Sequence, residues 1–286
     1  MSTKAAFIGL GAMGAPMAGH LHTKGLLVAV GNRTQARADE LAKELGVAAP
    51  DLAGIAASAD VIALCVSADA DVISVVQALA PSLKKGSIVV DHSTVAPATA
   101  KRASRILADV GADFLDAPVS GGVEGAKNGK LSVMVGGDAA VLERARPVLE
   151  AYGARVTHMG PVGSGQATKA VNQVLVAGIA HAVTEGLALG EALGLEADRL
   201  IPTLAAGAAG NWFLDKRGAT MLRNEFSVGF KLALLHKDLG IVRGIATEAG
   251  TDRTIIEQSL ADFGELMAQG YGDDDISALI RLKRGK

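Results

Sequence analysis

Three side chains in the stretch Gly163-Ser-Gly-Gln-Ala-Thr-Lys169-Ala-Val-Asn172-Gln173 have the chemistry to act together on a substrate. Lys169 supplies an ammonium, which can donate a proton and stabilise an oxyanion as it forms. Asn172 and Gln173 follow at i+3 and i+4, so on a helix their amides flank the lysine. The stretch predicts a helix, because Val171, Leu175, Ile179, Val183 and Leu187 recur every four residues. From Ser164 to about Ala192 it would run roughly 40 Å at 1.5 Å per residue. That is long enough to leave one domain and become the spine of the next. Lys169 is its only cation. A lysine at a helix start can also simply snorkel to solvent, and this stretch alone leaves both readings open.

A second constellation lies at the N-terminus. The apolar run Ala5–Leu10 reads as a buried strand and leads into Gly9-Leu10-Gly11-Ala12-Met13-Gly14, a G-x-G-x-x-G followed by a helical pattern through Met17 and Leu21. Between a strand and a helix each glycine has a task. Gly9 makes the tight turn, Gly11 lets the backbone approach a pyrophosphate, and Gly14 lets the helix pack on the strand. The helix N-terminus offers amides and a positive dipole end to phosphates. The next strand, Leu26–Val30, ends in Gly31-Asn32-Arg33-Thr34, and no acid follows until Asp39. An acid there would hold the ribose hydroxyls of NAD. Arg33 instead offers a planar fork of donors to a 2′-phosphate, with Asn32 and Thr34 as neutral donors. The expected cofactor is NADP, with NADPH preferred over NADH. An exposed loop arginine with no ligand would leave the missing acid unexplained.

The elements needed to position these residues follow in alternation. Helices are predicted over 34–45, 72–79, 97–109 and 139–152, and strands over 61–65, 88–91, 114–117, 131–136 and 155–158. Such alternation predicts a parallel, doubly wound α/β sheet. Ligands then sit beyond the carboxyl ends of the strands. Cys65-Val66-Ser67, Ser93-Thr94 and Ser120-Gly121-Gly122 are placed there. Glycine amides beside the Ser120 hydroxyl form a nest for a carboxylate, although a flexible loop would read alike. Gly160-Pro-Val-Gly163 breaks the pattern, and only helices are predicted beyond it. The boundary is set at 162, giving a cofactor domain over 1–162 and an all-helical domain over 163–286. In the second domain Lys237 is either a surface lysine paired to a nearby acid or a second cation facing the cleft. Asp273-Asp-Asp275 reads as the cap of a terminal helix.

Composition excludes several classes. The net charge of −2 over 286 residues gives no basic field for nucleic acid, and 3% aromatics are too few for a base-stacking surface. One cysteine, Cys65, cannot form an internal disulfide and fits a reducing compartment. No Cys/His cluster suggests a metal site. The N-terminus lacks a signal-peptide pattern, and Asn172, Gln173, His181 and Glu185 interrupt the most apolar helix. The expectation is a cytoplasmic protein that binds neither nucleic acid nor membrane.

Taken together, these motifs resemble the β-hydroxyacid dehydrogenases, the family of 3-hydroxyisobutyrate dehydrogenase, tartronate semialdehyde reductase and the glyoxylate/succinic semialdehyde reductases. The resemblance spans the chain. It rests on Gly9-Leu-Gly-Ala-Met-Gly-Ala-Pro-Met17, Asp91-His-Ser-Thr94, Asp116-Ala-Pro-Val-Ser-Gly-Gly122, Gly163-Ser-Gly-Gln-Ala-Thr-Lys-Ala-Val-Asn172 and Lys237-Asp-Leu239. It implies a Rossmann-like domain followed by an all-α domain on a long interdomain helix. It implies Lys169 as the catalytic lysine, Asn172 as its amide partner, and Ser120, Gly121 and Gly122 as the seat of the substrate carboxylate. Thr94 would lie by the nicotinamide ribose, Phe230 by the cofactor, and Lys237 near nicotinamide and substrate. Gln173 departs from the family's usual second Asn and bears on substrate fit. The Asn32-Arg33-Thr34 segment resembles the NADP-preferring members, and Trp212 with Arg217-Gly218 the semialdehyde-reductase branch. A homodimer or homotetramer paired through the helical domains is also implied. Rival readings are an imine reductase, which usually lacks the lysine; a non-catalytic NADP-binding protein; and a 6-phosphogluconate-type dehydrogenase, for which the chain is too short.

Overall fold

The computed structural model describes residues 3–284. The chain divides into two compact units at Lys169–Ala170.

The first unit opens with β1 (Ala5–Ile8), α1 (Gly14–Thr23), β2 (Leu27–Gly31), α2 (Gln35–Leu45), α3 (Leu52–Ser58), β3 (Val61–Leu64) and α4 (Asp69–Leu79). It continues with β4 (Ile88–Asp91), α5 (Pro97–Ala108), β5 (Asp113–Asp116), β6 (Val119–Ser120), α6 (Gly122–Lys127), β7 (Leu131–Gly136), α7 (Ala139–Leu149) and β8 (Gly153–Gly160). The sheet order is β2-β1-β3-β4-β5-β7-β6, and β8 pairs with β7. The strand period of two explains the layering. Phe7 faces one core with Met17, Leu21 and Val90, while Ala6 and Ile8 face the other with Ile55, Val76 and Leu107. Helices therefore cover both faces, as a doubly wound sheet requires.

The structure corrects the sequence reading in two places. The sheet is mixed: β1 to β5 run parallel, but β7 is antiparallel to both β5 and β6. The physical reason the sequence misses this is that side-chain alternation is the same for a parallel and an antiparallel strand. Three short elements, α3, β6 and α6, were not anticipated. Each is too short to display a period, although Asp51 caps α3 by accepting from the Gly54 amide at 2.8 Å.

The second unit is built on α8 (Ser164–Ala192), which starts in the first unit. It then runs through α9 (Ala197–Ala205), α10 (Trp212–Leu222), α11 (Leu232–Ala249), α12 (Thr254–Ala268) and α13 (Ile280–Lys283). By length and hydropathy α8 would pass as a membrane span. Its Ala177, Ala180 and Leu187 are instead buried against Phe213, Leu235 and Phe263 in the core of this unit. Asp275 caps the terminal turn by accepting from the Ser277 amide at 3.0 Å. Its other oxygen also gathers the amides of Gly229 and Phe230, at 2.8 and 3.0 Å.

Candidate active site

The glycine-rich loop has the shape its sequence suggests. Gly9 lies at φ +94°, where a side chain is strained, and a Cβ there would strike the Cys65 carbonyl. A Cβ at Gly14 would strike the Gly9 carbonyl, so α1 packs tightly under the loop. Beside Gly11 nothing lies within 4 Å of a would-be Cβ, which leaves room for a phosphate to approach the backbone. The first turn of α1 carries no acid to repel an anion. Leu10 and Gly14 are buried, Met13 is half-buried, and Gly11 and Ala12 are exposed. This loop fits a dinucleotide pyrophosphate.

At the end of β2 the three expected cofactor residues diverge. Asn32 accepts from the Leu10 amide at 3.1 Å and donates to the Thr34 carbonyl at 3.1 Å. Its amide therefore ties the glycine-rich loop to β2. Arg33 projects outward, its side chain 85% exposed, with Asp71 of α4 at 3.5 Å. Thr34 is exposed at the start of α2.

The strand ends beside the loop are bound to one another. The Val66 amide donates to Ser93 Oγ at 2.9 Å, and the Ser93 amide donates to Asp91 Oδ1 at 2.9 Å. Cys65, Val66 and Thr94 are half-buried and Ser67 is exposed. Asp91 is fully buried, and its Oδ2 has no hydrogen-bond partner. Burial pushes this carboxyl up to about 7, against the pull of its bonds to Ser93. The next residue, His92, is held neutral. Burial pushes it down to about 4, against its bond to the Ala117 carbonyl. That carbonyl can only accept, so Nδ1 carries the proton at 2.6 Å and Nε2 accepts from the Tyr152 hydroxyl at 2.7 Å.

Lys169 is buried, and its ammonium donates to the Val119 carbonyl at 2.8 Å. The next three residues are Ser120, Gly121 and Gly122. Gly121 lies at φ +130° and Gly122 at φ +60°, conformations that only glycine adopts without strain. The first unit thus brings the lysine to the serine–glycine segment.

In the second unit, Asn172 donates to Gln173 Oε1 at 2.8 Å, and Gln173 Nε2 donates to Asp238 Oδ2 at 2.7 Å. Lys237 Nζ lies 3.0 Å from the other Asp238 oxygen. Lys237 is thereby paired to an acid, one of the two readings its sequence left open. Asp238 and Gln173 are both buried. A carboxylate only accepts, so Asp238 fixes which end of the Gln173 amide faces Asn172. Phe230 is half-buried, its amide held by Asp275.

Sequence reasoning did not assign Asp238, Asp116 or Gln166. Asp116 is fully buried and accepts from the amides of Gly163 and Gln166 at 2.7 and 2.9 Å. Gln166 accepts from the Val95 amide at 3.1 Å and donates to the Ser93 carbonyl at 2.7 Å. All three stand inside the motifs quoted above, and that adjacency was the available signal. Among the described residues no group of three or more His, Cys, Asp or Glu could hold a metal.

Residues 4–160 match the model of the NAD-binding domain of 6-phosphogluconate dehydrogenase. Residues 163–283 match that of the NAD-binding domain of NADP-dependent 3-hydroxyisobutyrate dehydrogenase. The chain is 36% identical to the NAD-dependent L-serine dehydrogenase of Pseudomonas aeruginosa, covering 97% of this chain and 96% of that one. It is 35% identical to the 2-hydroxy-3-oxopropionate reductase of Escherichia coli, again covering 97% and 96%. Among solved structures, the Mycobacterium tuberculosis 3-hydroxyisobutyrate dehydrogenase with L-serine superposes at a TM-score of 0.90, with 32% identity and full coverage of both chains. An imine reductase from Myxococcus stipitatus, at 20% identity, TM-score 0.65 and 98% and 99% coverage, shares the fold alone. The chain belongs to the β-hydroxyacid dehydrogenases and is an NAD(P)-dependent oxidoreductase.

Proposed function

We propose that this enzyme interconverts a small hydroxy acid and its semialdehyde or oxo acid, with Lys169 as the general acid and base and NADPH as the preferred cofactor. When bound, the nicotinamide supplies or accepts the hydride at its C4. One observation carries the reading: a buried ammonium lies 2.8 Å from the carbonyl that immediately precedes Ser120-Gly121-Gly122. In reduction Lys169 donates its proton to the substrate oxygen as charge builds there, and in oxidation it takes the proton back. Asn172, three residues further along α8, orients Lys169. Ser120 and the two glycines hold the carboxylate, so that binding energy sets the angle of attack. The names of the relatives support this substrate class, because L-serine, 3-hydroxyisobutyrate and 2-hydroxy-3-oxopropionate each carry a carboxylate with a hydroxyl or carbonyl at the β-carbon.

For the cofactor, Arg33 and the absence of an acid at the end of β2 support NADPH. For assembly, Val171, Leu175 and Leu189 are 60–62% exposed on α8. At 100° per residue they share an arc of roughly 40°, an apolar stripe suited to a second copy. A single monomeric species in light scattering at micromolar concentration would exclude that pairing.

The test is kcat in both directions for the wild type and Lys169→Ala, beside NADPH titration by fluorescence. The panel includes tartronate semialdehyde, succinic semialdehyde, glyoxylate and a cyclic imine. Alanine keeps the helix, so the expected loss of about 10²–10³ in kcat is chemical, with cofactor affinity retained. A variant with normal kcat would remove Lys169 from the mechanism. Faster turnover of the imine than of any aldehyde would replace the substrate class.

A further inference from the structure

Asp116 ends β5 and stands at the root of two arms that meet at Lys169. Along one arm, three residues lead from Asp116 to Val119, whose carbonyl accepts from the Lys169 ammonium at 2.8 Å. Along the other, Asp116 Oδ1 accepts from the Gly163 amide at 2.7 Å and Oδ2 from the Gln166 amide at 2.9 Å. The Gly165 amide bonds to the same carboxyl group. These amides lie just before and within the first turn of α8 and have no acceptor within the helix. Less than one turn later α8 presents Lys169.

The carboxylate has no freedom to follow a shifting helix. A Cβ at Gly136 or at Gly165 would run into it, so backbone closes around it from β7 and from α8. Gln166 adds a second tie at the same turn, through the Ser93 carbonyl and the Val95 amide. The start of α8 is therefore fixed in rotation and in height against β4 and β5. A helix turns 100° per residue, so a small slip at this turn swings the lysine well away from Ser120.

We infer that Asp116 is a positioning residue for Lys169: by gathering the first amides of α8 it sets where the ammonium meets the serine–glycine segment. This rests on Lys169 being the proton donor proposed above. Asparagine at 116 keeps the volume but turns an NH₂ toward amides that need an acceptor. The helix start then relaxes away from β5, and the ammonium loses its approach.

The experiment is a double-mutant cycle of Asp116→Asn and Lys169→Ala, read as kcat and KM per folded enzyme, with NADPH affinity measured beside them. On the wild-type background Asp116→Asn should lower kcat by about 10–100-fold, the scale of an ångström-sized misplacement, with KM and NADPH affinity within about twofold. On the Lys169→Ala background the same change should cost less than about twofold, because the group it positions is gone. A mere helix cap would lower the melting temperature and leave kcat per folded enzyme intact, and that result overturns the inference. Equal losses on both backgrounds overturn it too. Should Asp116→Asn not fold, Gly136→Ala, which pushes on the carboxylate without removing it, takes its place under the same two criteria. A fully active Lys169→Ala would be a failure of the functional reading itself, seen separately in the single variant.

Discussion

The two units hold their candidate site residues by different means. In the first unit the anchors are carboxylates and an amide bonded to backbone: Asp91 to the Ser93 amide, Asp116 to Gly163 and Gln166, Gln166 to Ser93 and Val95. In the second unit a chain of side chains does the holding, from Asn172 through Gln173 and Asp238 to Lys237. Backbone anchors fix where the main chain lies and tolerate little change. Side-chain anchors fix only which way an amide points, and each link can be exchanged for another. Lys169 sits at the end of the first kind of support. Residues that discriminate between acids are better served by the second, which evolves without disturbing the fold.

This contrast can be broken most forcefully at Asp238. In Asp238→Ala the buried Gln173 amide loses its acceptor, at a cost of about 1–3 kcal/mol, and Asn172 loses its orientation. We expect kcat/KM for the acid to fall by about 10–100-fold at nearly unchanged NADPH affinity. A drop confined to melting temperature would mean the side-chain chain is only structural. Next comes Arg33, proposed above to favour NADPH and held by neither device. The wild type should favour NADPH at least tenfold, about 1.4 kcal/mol, and Arg33→Asp should abolish or invert that ratio. Equal kcat/KM for the two cofactors in the wild type would end the assignment. Gln173→Asn shortens one link by a methylene and detaches it from Asp238. Its signature should be a change of a few-fold in KM among substrates, about 1 kcal/mol or less, with kcat nearly preserved. A large loss of kcat would show that the second unit is as intolerant as the first.

The smallest effect is on stability, in the backbone-held region. The Asp91 carboxyl is raised from 3.8 to about 7, so the folded protein binds the extra proton and this contribution is lost as pH rises through about 7. His92 is lowered from 6.5 to about 4, so its contribution is present above 6.5 and lost as pH falls through about 4. Over nearly the same window these two slopes oppose each other. Asp91→Asn removes one slope. The variant should melt a few degrees above the wild type at pH 8, and that margin should shrink steadily as pH falls from about 7 toward 4. A variant curve parallel to that of the wild type would contradict this account.

Much of the first unit was legible in the sequence because its signals are local. A glycine triplet between a strand and a helix, or an apolar run ended by a turn, declares itself within a dozen residues. The long helix was legible too, since 29 residues display their period many times over. Strand direction was not legible: nothing in Leu131–Gly136 marks it as antiparallel to β5, because side-chain alternation is the same either way. Nor were the roles of Asp116 and Asp238. Their partners lie 47, 50 and 65 residues away, and an aspartate reads the same whether it faces water or a helix start. The side chain of Asn32 shows the converse. Its place at the end of β2 was plain, but the bond by which its amide holds the glycine-rich loop was not.

The distribution of aromatic residues gives the molecule an optical asymmetry. Its single tryptophan, Trp212, belongs to the second unit, is 52% exposed, and has the Arg217 guanidinium 5.3 Å from its ring. Tyr152 is the tyrosine of the first unit and is fully buried against His92. Excitation at the red edge of the indole band therefore interrogates only the helical unit, whereas circular dichroism sees both. The chain thus carries its own reporter: emission that completes its shift while part of the ellipticity remains would mark the helical unit opening while the sheet remains intact.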